Sequence, residues 1–278
     1  MRQQQRLAYI QELIMKIIFK TALAAGLVAV SLLNSTIVLA DQDKGLELAK
    51  LRKQADSGWQ DSQASLTMEL KNAAGDTSLR KLRIKSLEID NDGDKGLTIF
   101  DTPRDVKGTA FLNHSHAVEP DDQWLYLPAL KRVKRIASRN KSGPFMGSEF
   151  AYEDLSSFEL EKYTFHFIEE TMLDNQPVYL LEQVPVDRYS GYTKQRVWLA
   201  KTHYQPLKVE YYDRKNTLLK TLELQDYQQY LDKIWRANKL VMNNVQTQKA
   251  TTLTTTELVF KTGLRGNDFN KASLKRAR

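Results

Sequence analysis

The amino-acid sequence predicts a mainly β protein whose strands form an incomplete antiparallel β-barrel closed by short helices. Segments with apolar residues at every second position recur through most of the chain, and turn-forming residues separate them. The composition, with 41% hydrophobic, 9% aromatic and 27% charged residues, is that of an ordinary folded domain. We expect about 10–11 antiparallel strands in one domain, arranged as a large curved sheet or a barrel.

One helix precedes the strands. Leu48, Leu51 and Ala55 recur at spacings of three and four, which predicts a helix over roughly residues 44–55, and Gly58 follows its end. The next segment, QASLTMELK, alternates between apolar and polar residues, and NAAGD supplies a turn before KLRIKS. These two segments form a predicted hairpin with one face toward water.

Further strand-like segments follow at short intervals. They are GLTIF, QWLYLP, YTFHFIEE, PVYLLEQV, YTKQRVWLA, PLKVEYYD, LLKTLELQDY, KLVMNNV and TTLTTTELVF. The residues predicted to face inward are Trp124, Tyr126, Tyr163, Phe165, Phe167, Leu207, Val209, Tyr211, Leu222 and Leu224. Because one short helix does not cover so much apolar surface, we expect the sheet either to pack on a second sheet or to enclose a cavity.

Residues 1–40 have the features of an export signal. Two lysines precede an apolar stretch, and a small-residue cleavage site ends at Ala40. The apolar stretch is short for a membrane span, which needs about 20 residues. We therefore predict a signal peptide that is cleaved after Ala40, with translation starting at Met15, and a single mature domain over residues 41–278.

The charge and the cysteine content indicate the cellular compartment of the protein and the kinds of partner that it can bind. The chain has no cysteine, so it has no disulfide and no thiol for lipid attachment. Four of the 41 basic and one of the 34 acidic residues lie in residues 1–40, so the mature chain carries a formal net charge of +4. This charge suits transient attraction to an anionic membrane surface better than binding of nucleic acid. We expect a soluble, monomeric periplasmic protein without a cofactor.

No motif indicates catalysis. The sequence has no Gly-x-Ser-x-Gly elbow, no glycine-rich phosphate loop and no HExxH pattern. His114 and His116 could aim to one side of a strand, as a metal pair requires, but a polar loop with two surface histidines is the simpler interpretation. The carboxylates of EDLSSFELEK are better explained as solvated charges. The sequence therefore predicts neither an enzyme nor a metal site.

The segment from Leu127 to Leu155 combines a basic run with glycine, aromatic and acidic residues. Its basic residues are Lys131, Arg132, Lys134, Arg135, Arg139 and Lys141. The run is either a solvated edge that discourages strand pairing or a binding surface for an anionic lipid headgroup or an acidic protein. Gly143 and Gly147 predict a long loop, with a helical turn that starts near Ser148.

Three longer segments together resemble the outer membrane lipoprotein-sorting protein family, the LolA-like periplasmic carriers. They are DDQWLYLPALKRVKRI, GPFMGSEFAYEDL and RVWLAKTHYQPLKVEYYDRKNTLLKTLEL. The resemblance implies a LolA/LolB-like incomplete barrel whose concave apolar face receives acyl chains of a lipid or lipoprotein. It also implies association with an RND-type inner-membrane exporter, so an accessory docking role is the alternative to a carrier. The best-studied carrier branch is shorter and lacks FMGSEFAYEDL, so its cargo does not transfer to this chain.

The resemblance also implies roles for particular side chains. The cavity and its lid are assigned to Trp124, Tyr126, Leu127, Phe145, Met146, Phe150, Tyr152, Phe165, Phe167 and Tyr211. The lid is expected to cover the cavity mouth and to move at Gly143 and Gly147. The basic rim that contacts a headgroup or partner is assigned to Lys131, Arg132, Lys134, Arg135 and Arg139.

Overall fold

The computed structural model of the protein describes residues 41–276, which form one antiparallel sheet flanked by short helices. The predicted signal peptide, residues 1–40, lies outside the described residues. Helix α1 covers residues 41–55, and helix α2 covers Lys271–Arg276. The strands are β1 (Asp61–Lys71), β2 (Thr77–Leu87), β3 (Lys95–Thr102), β4 (Ala110–His114), β5 (Asp122–Leu127), β6 (Arg132–Ile136), β7 (Tyr163–Leu173), β8 (Gln176–Pro185), β9 (Lys194–Ala200), β10 (Pro206–Tyr212), β11 (Leu218–Tyr230), β12 (Ile234–Asn244) and β13 (Lys249–Phe260). Among residues 41–276, no helix is both long enough and apolar enough to cross a membrane.

The sheet is open, with β6 at one edge and β7 at the other. Its order is β6-β5-β4-β3-β2-β1-β13-β12-β11-β10-β9-β8-β7, so nearly every strand pairs with its neighbour in sequence. The predicted antiparallel β fold is confirmed, but residues 41–276 contain 13 strands rather than about 10–11. The additional strands are β4, which is buried on both faces, and β6, which lies within the basic run. Neither has the apolar–polar alternation that reveals a half-buried strand.

One face of this sheet is concave. Neighbouring strands lie about 4.8 Å apart, so a flat sheet of this size would extend roughly 55–60 Å. Nevertheless, residues from β1 to β6 and from β8 to β13 contribute to a single apolar core, together with Leu48 of α1. Side chains from such distant strands can meet only if the sheet curves around them. This curvature leaves one face available to enclose other groups.

A second, smaller core lies on the opposite face of β3, β4 and β5. There Leu97, Leu112 and Trp124 pack against Phe269 and Leu274 of the C-terminal segment. Strands β3 to β5 are therefore apolar on both faces, because each face is covered by a different part of the chain. This arrangement decides which aromatic residues can reach the concave side.

The two edges of the sheet are connected by residues 137–162, which we call the strap. The strap leaves edge strand β6, crosses the concave face and enters edge strand β7. It contains three short 3-10 segments, Ser138–Asn140, Tyr152–Leu155 and Leu160–Lys162. The predicted helical turn is thus present, but it begins at Tyr152 rather than near Ser148.

A small hairpin forms the centre of the strap. The Phe145 N–H donates to the Phe150 carbonyl over 2.7 Å, and the Ser148 N–H donates to the Phe145 carbonyl over 2.9 Å. Met146 and Gly147, the central residues of the turn, have φ values of 51° and 76°. Two consecutive positive φ values define a type I′ turn, which glycine adopts without strain. The hairpin therefore brings Phe145 and Phe150 to the same side, toward the sheet.

Helix α1 also lies on the concave side. Gly45 packs so closely on β7 that a Cβ atom there would lie 2.9 Å from the Phe167 backbone nitrogen. Further along the helix, Lys53 Nζ forms an ion pair of 2.7 Å with the buried carboxylate of Glu159 in the strap. The helix is thus fixed against both β7 and the strap, which places Arg52 over the concave face.

Candidate functional site

The strap fills one part of the concave face with aromatic side chains. The Phe145 ring is almost fully buried, and its centroid lies 5.2 Å from that of Phe111 and 5.8 Å from that of Phe100. Tyr152 packs edge-on against the same ring at 5.6 Å. Aromatic rings at these separations pack as they do in protein cores. Phe145 is therefore part of the core under β3 and β4 and does not cover an open mouth.

A buried ion pair attaches the strap to the sheet. Lys220 Nζ of β11 lies 2.6 Å from Asp154 Oδ2 of the strap, and both side chains are only 4% exposed. The same ammonium group donates to the Glu149 carbonyl over 2.8 Å. The Tyr192 hydroxyl donates to the second Asp154 oxygen, also over 2.8 Å. Each partner of the pair thus has further hydrogen bonds, as buried charges require.

Next to these strap contacts, the concave face retains a cleft of about 430 Å³. This volume lies within the range of small-molecule sites, about 300–1,000 Å³. Tyr163, Val209, Tyr211, Leu222 and Leu224 contribute tyrosine rings and aliphatic side chains to its lining. This part of the cleft therefore presents an apolar surface.

Charged side chains line other parts of the cleft, and four of them form two ion pairs. Lys141 Nζ lies 2.6 Å from Asp187, and Lys162 Nζ lies 2.8 Å from Asp121. Two strongly exposed valines also line the cleft, Val118 from the β4–β5 loop and Val186 from the β8–β9 loop. These exposed residues mark the side on which the cleft opens to solvent.

Burial raises the pKa of several lining groups. It raises the pKa of Tyr163, Tyr192 and Tyr211, so all three phenols stay neutral at physiological pH. Burial also raises the pKa of Glu153, although hydrogen bonds from the Gly191 N–H and the Ser190 hydroxyl oppose this effect. Glu153 therefore holds its proton to a higher pH than an exposed glutamate does.

The structure separates the predicted cavity residues into two groups. Trp124 and Tyr126 pack on the opposite face with Phe269, away from the residues that line the cleft. Strand β5 alternates, and it is Leu125 and Leu127 that point to the concave side. The reason is that both faces of β5 are apolar, so its alternation does not identify the concave one.

The remaining predicted cavity residues lie on the concave side in different roles. Phe145, Met146, Phe150 and Tyr152 belong to the strap and pack into the core, while Phe167 packs against it from β7. Phe165 is buried and contacts Phe158 and Tyr163, whose side chains line the cleft. Of the ten predicted residues, Tyr211 lines the cleft itself.

The predicted basic rim lies on and beside edge strand β6. Lys131, Arg132, Lys134, Arg135 and Arg139 are all exposed. Arg135 bonds to Asp122 of the adjacent strand over 2.6 Å. The outer side of β6 has no neighbouring strand in the sheet, so its charges lie where they discourage strand pairing. Both interpretations of the basic run, an edge that resists pairing and a binding surface, are compatible with this position.

The two histidines of NHSH have separate partners. His114 Nε2 lies 2.7 Å from the Phe269 carbonyl oxygen, whereas His116 Nδ1 lies 3.0 Å from Asp92. Within residues 41–276, no group of three or more His, Cys, Asp or Glu side chains is arranged to hold a metal ion. Each ring is therefore occupied by a structural contact.

Several cleft residues were not assigned to the site from the sequence. Arg52 comes from a helix that precedes the sheet, Phe158 comes from the strap, and Tyr192 comes from the β8–β9 loop. No local pattern connects these three positions. By contrast, Val209, Leu222 and Leu224 were predicted to face inward, and strand periodicity could have placed them in the site.

Comparison with protein families places the chain in a defined group. A family model described as "Uncharacterized protein" matches residues 92–276. A crystal structure of an outer membrane lipoprotein-sorting protein domain from Vibrio parahaemolyticus is 65% identical, covers 84% of this chain and 100% of its own, and has a TM-score of 0.83. No curated protein matches the chain.

Two further solved structures extend the comparison to lower identity. A DUF1329 family protein from Desulfovibrio piger is 28% identical over 84% of this chain and 99% of its own, with a TM-score of 0.80. A LolA superfamily protein from Nitrosomonas europaea is 18% identical over 82% of this chain and 97% of its own, with a TM-score of 0.64. The last similarity concerns the fold alone.

Proposed function

Because the chain belongs to the outer membrane lipoprotein-sorting protein family, we propose that it is a non-enzymatic periplasmic carrier. It binds acyl chains of a lipid or lipoprotein in the cleft and passes them between membranes or to a partner. The observation that carries this proposal is the cleft of about 430 Å³ on the concave face, with tyrosine and aliphatic side chains in its lining. The predicted signal peptide and the neighbour from Vibrio parahaemolyticus support a periplasmic location.

The energetics favour cavity burial as the main source of affinity. Each methylene removed from water contributes about 0.8 kcal/mol, whereas a basic side chain near an anionic surface contributes about 1 kcal/mol. A chain of ten buried methylenes thus contributes roughly 8 kcal/mol before the cost of association. Burial in the cleft holds the cargo, and charged residues orient it.

The test is to fill the cleft. Leu224 is a partly buried lining residue, and Leu224→Trp adds a bulky ring in the space that the acyl chain would occupy. We expect a fluorescent fatty acid to bind the variant at least about tenfold more weakly, measured by titration, because the lost burial is worth more than about 1.4 kcal/mol. The matched control is Met172→Trp, which adds the same ring at an exposed position outside the cleft.

Lipid extraction from protein purified from its native periplasm gives a second result. Mass spectrometry should detect bound lipid or acylated protein. Empty protein that also fails to take up the fluorescent fatty acid contradicts the carrier function. If Leu224→Trp and the parent protein bind the fluorescent fatty acid equally well, the cleft is not the binding site.

The alternative function is an accessory subunit that docks on an RND-type inner-membrane exporter. The exposed basic residues of β6 favour this alternative, since they present positive charge along a free sheet edge. The two functions use different surfaces, so variants of one surface test them separately.

A further inference from the structure

Arg52 stands out among the residues that line the cleft. It follows Leu51 on α1, and its guanidinium carbon lies 3.8 Å from the centroid of the Phe158 ring. The residue is partly buried, and burial lowers its pKa. An arginine cation has thus been brought onto the concave face and into contact with an aromatic ring.

Within residues 41–276, Arg52 has neither an ion pair nor a hydrogen bond to any side chain or carbonyl group. The other cleft-lining cations differ, because Lys141 is paired with Asp187 and Lys162 with Asp121. A guanidinium group has five N–H donors, and charges removed from water are normally paired. The donors of Arg52 are therefore free to bind a ligand.

Three carboxylates that act on Arg52 or line the same cleft have partners elsewhere. Asp56, one turn further along the chain, bonds to Arg236 of β12. On the strap, Asp154 is paired with Lys220, and Glu153 accepts hydrogen bonds from the β8–β9 loop. None of these groups needs to rearrange for Arg52 to receive an anion.

A second free donor lies in the same cleft. Tyr211 is 7% exposed, and its hydroxyl forms no hydrogen bond with any residue in the described part of the chain. The positive charge of Arg52 acts to lower the pKa of Tyr211, against the larger effect of burial, so the two groups are electrostatically coupled. Together they offer a cation and a hydroxyl next to the aliphatic side chains of Val209 and Leu222.

We propose that the cleft selects amphiphiles with an anionic headgroup, whose carboxylate or phosphate oxygens bind the Arg52 guanidinium. The acyl chain then lies against Val209, Leu222 and Leu224. This inference rests on the proposed carrier function and specifies its substrate class. The planar guanidinium matches the geometry of two carboxylate or phosphate oxygens, which gives selectivity over neutral lipids.

The experiment compares ligands that share one tail and differ in the headgroup. Dodecanoate, dodecyl phosphate and neutral dodecanol each displace a fluorescent fatty acid from the delipidated mature chain. We expect the parent to bind both anionic ligands about tenfold or more tightly than dodecanol, as charge-assisted hydrogen bonds imply. In Arg52→Gln the three ligands should bind about equally, because the variant lacks the cation that favours the two anionic ligands.

Two further variants make the result specific. Arg52→Lys retains the charge without the planar fork, so it should keep part of the preference, and it replaces Arg52→Gln if that variant does not fold. Arg265→Gln removes an exposed arginine outside the cleft and should retain the full preference. Near-ultraviolet circular dichroism shows whether each variant keeps the parent fold.

The outcomes separate the inference from the function on which it rests. Equal binding of anionic and neutral ligands by the parent, or an undiminished preference in both Arg52 variants, overturns the headgroup assignment and leaves the carrier function standing. Failure of all three amphiphiles to bind overturns both. Competition by inorganic phosphate or acetate at the same affinity as the amphiphiles identifies a site for free anions and also overturns the headgroup assignment.

Discussion

Asp94 and Asp92 lie two residues apart before β3, yet their surroundings shift their pKa values in opposite directions. Burial raises the pKa of Asp94 to about 7, against the effects of a hydrogen bond from Ile89 and the charge of Lys53. For Asp92, burial is outweighed by hydrogen bonds from the Ala117 N–H and the His116 ring, and its pKa falls to about 2. The balance between burial and hydrogen bonding, not residue type, decides the direction of the pKa shift.

These shifts predict opposite pH dependences of stability. Between about pH 4 and 7 the folded chain holds a proton on Asp94 that the unfolded chain releases, so this contribution to stability decreases as pH rises through that window. We expect Asp94→Asn to raise the free energy of unfolding by about 2 kcal/mol at pH 8 and to have little effect at pH 4, measured by urea denaturation.

Asp92→Asn is the matched comparison for this prediction. Its lowered pKa stabilises the fold above about pH 4, and that stabilisation is lost as pH falls toward 2. The substitution should therefore destabilise the protein at pH 8. If both variants shift stability in the same direction at pH 8, the assignment of opposite environments is wrong.

At the level of secondary-structure elements, the strap covers part of the concave face of the open sheet and so encloses an apolar interior. It runs between the two edge strands, places Phe145 in the core and attaches to β11 through Asp154 and Lys220. The sequence interpretation of this segment as a movable lid considered its glycines and aromatics but not its attachments. The buried ion pair and the packed rings instead fix its centre to the sheet.

Breaking the ion pair tests this attachment. Lys220→Met leaves the buried Asp154 carboxylate without its cation, so we expect a loss of about 3–5 kcal/mol in the free energy of unfolding, measured by urea denaturation. The double variant Lys220→Met with Asp154→Asn should recover part of that loss. Arg135→Gln breaks an exposed pair and should cost less than about 1 kcal/mol. Similar losses for the buried and exposed pairs would contradict the role of the strap contact.

For the whole molecule, the basic residues and the strands of the cleft lie in different parts of the sheet, although the β4–β5 loop and the strap also line the cleft. The basic residues lie at the β6 edge, whereas the strands that line the cleft, β7 to β11, lie toward the other edge. Because about 1 kcal/mol per basic residue is available near an anionic membrane, the β6 edge can orient the molecule without contributing to the cleft. Membrane attraction and lipid capture are thus expected to be separable.

Replacing Lys131, Arg132, Lys134 and Arg135 with glutamine tests this separation. We expect binding to phosphatidylglycerol-containing vesicles, measured by flotation, to decrease at least about tenfold, with fatty-acid binding unchanged. The control replaces four exposed lysines elsewhere, Lys71, Lys81, Lys249 and Lys261. Equal loss in both variants indicates a general effect of net charge, and loss of fatty-acid binding contradicts the separation.

Strand periodicity and turn residues were sufficient to predict an antiparallel β domain with an apolar interior, because a half-buried strand repeats every two residues. The same rule does not apply to β4, which is buried on both faces, or to β6, where arginine and lysine occupy an edge. The resemblance carried by QWLYLP and FMGSEFAYEDL identified the family. These conclusions depend on local patterns, which can be recognised in the sequence without knowledge of the fold.

Only the tertiary structure decided which face of β5 is concave, and therefore that Leu125 rather than Trp124 points toward the cleft side. It also decided that Phe145 packs in the core and that Arg52, from a helix that precedes the sheet, lines the same cleft as Tyr211. The physical reason is that side chains alternate between the two faces of a strand, but this alternation does not show which face lies on the concave side of the sheet. Their identities follow from how the sheet curves and from which distant segments cover each face.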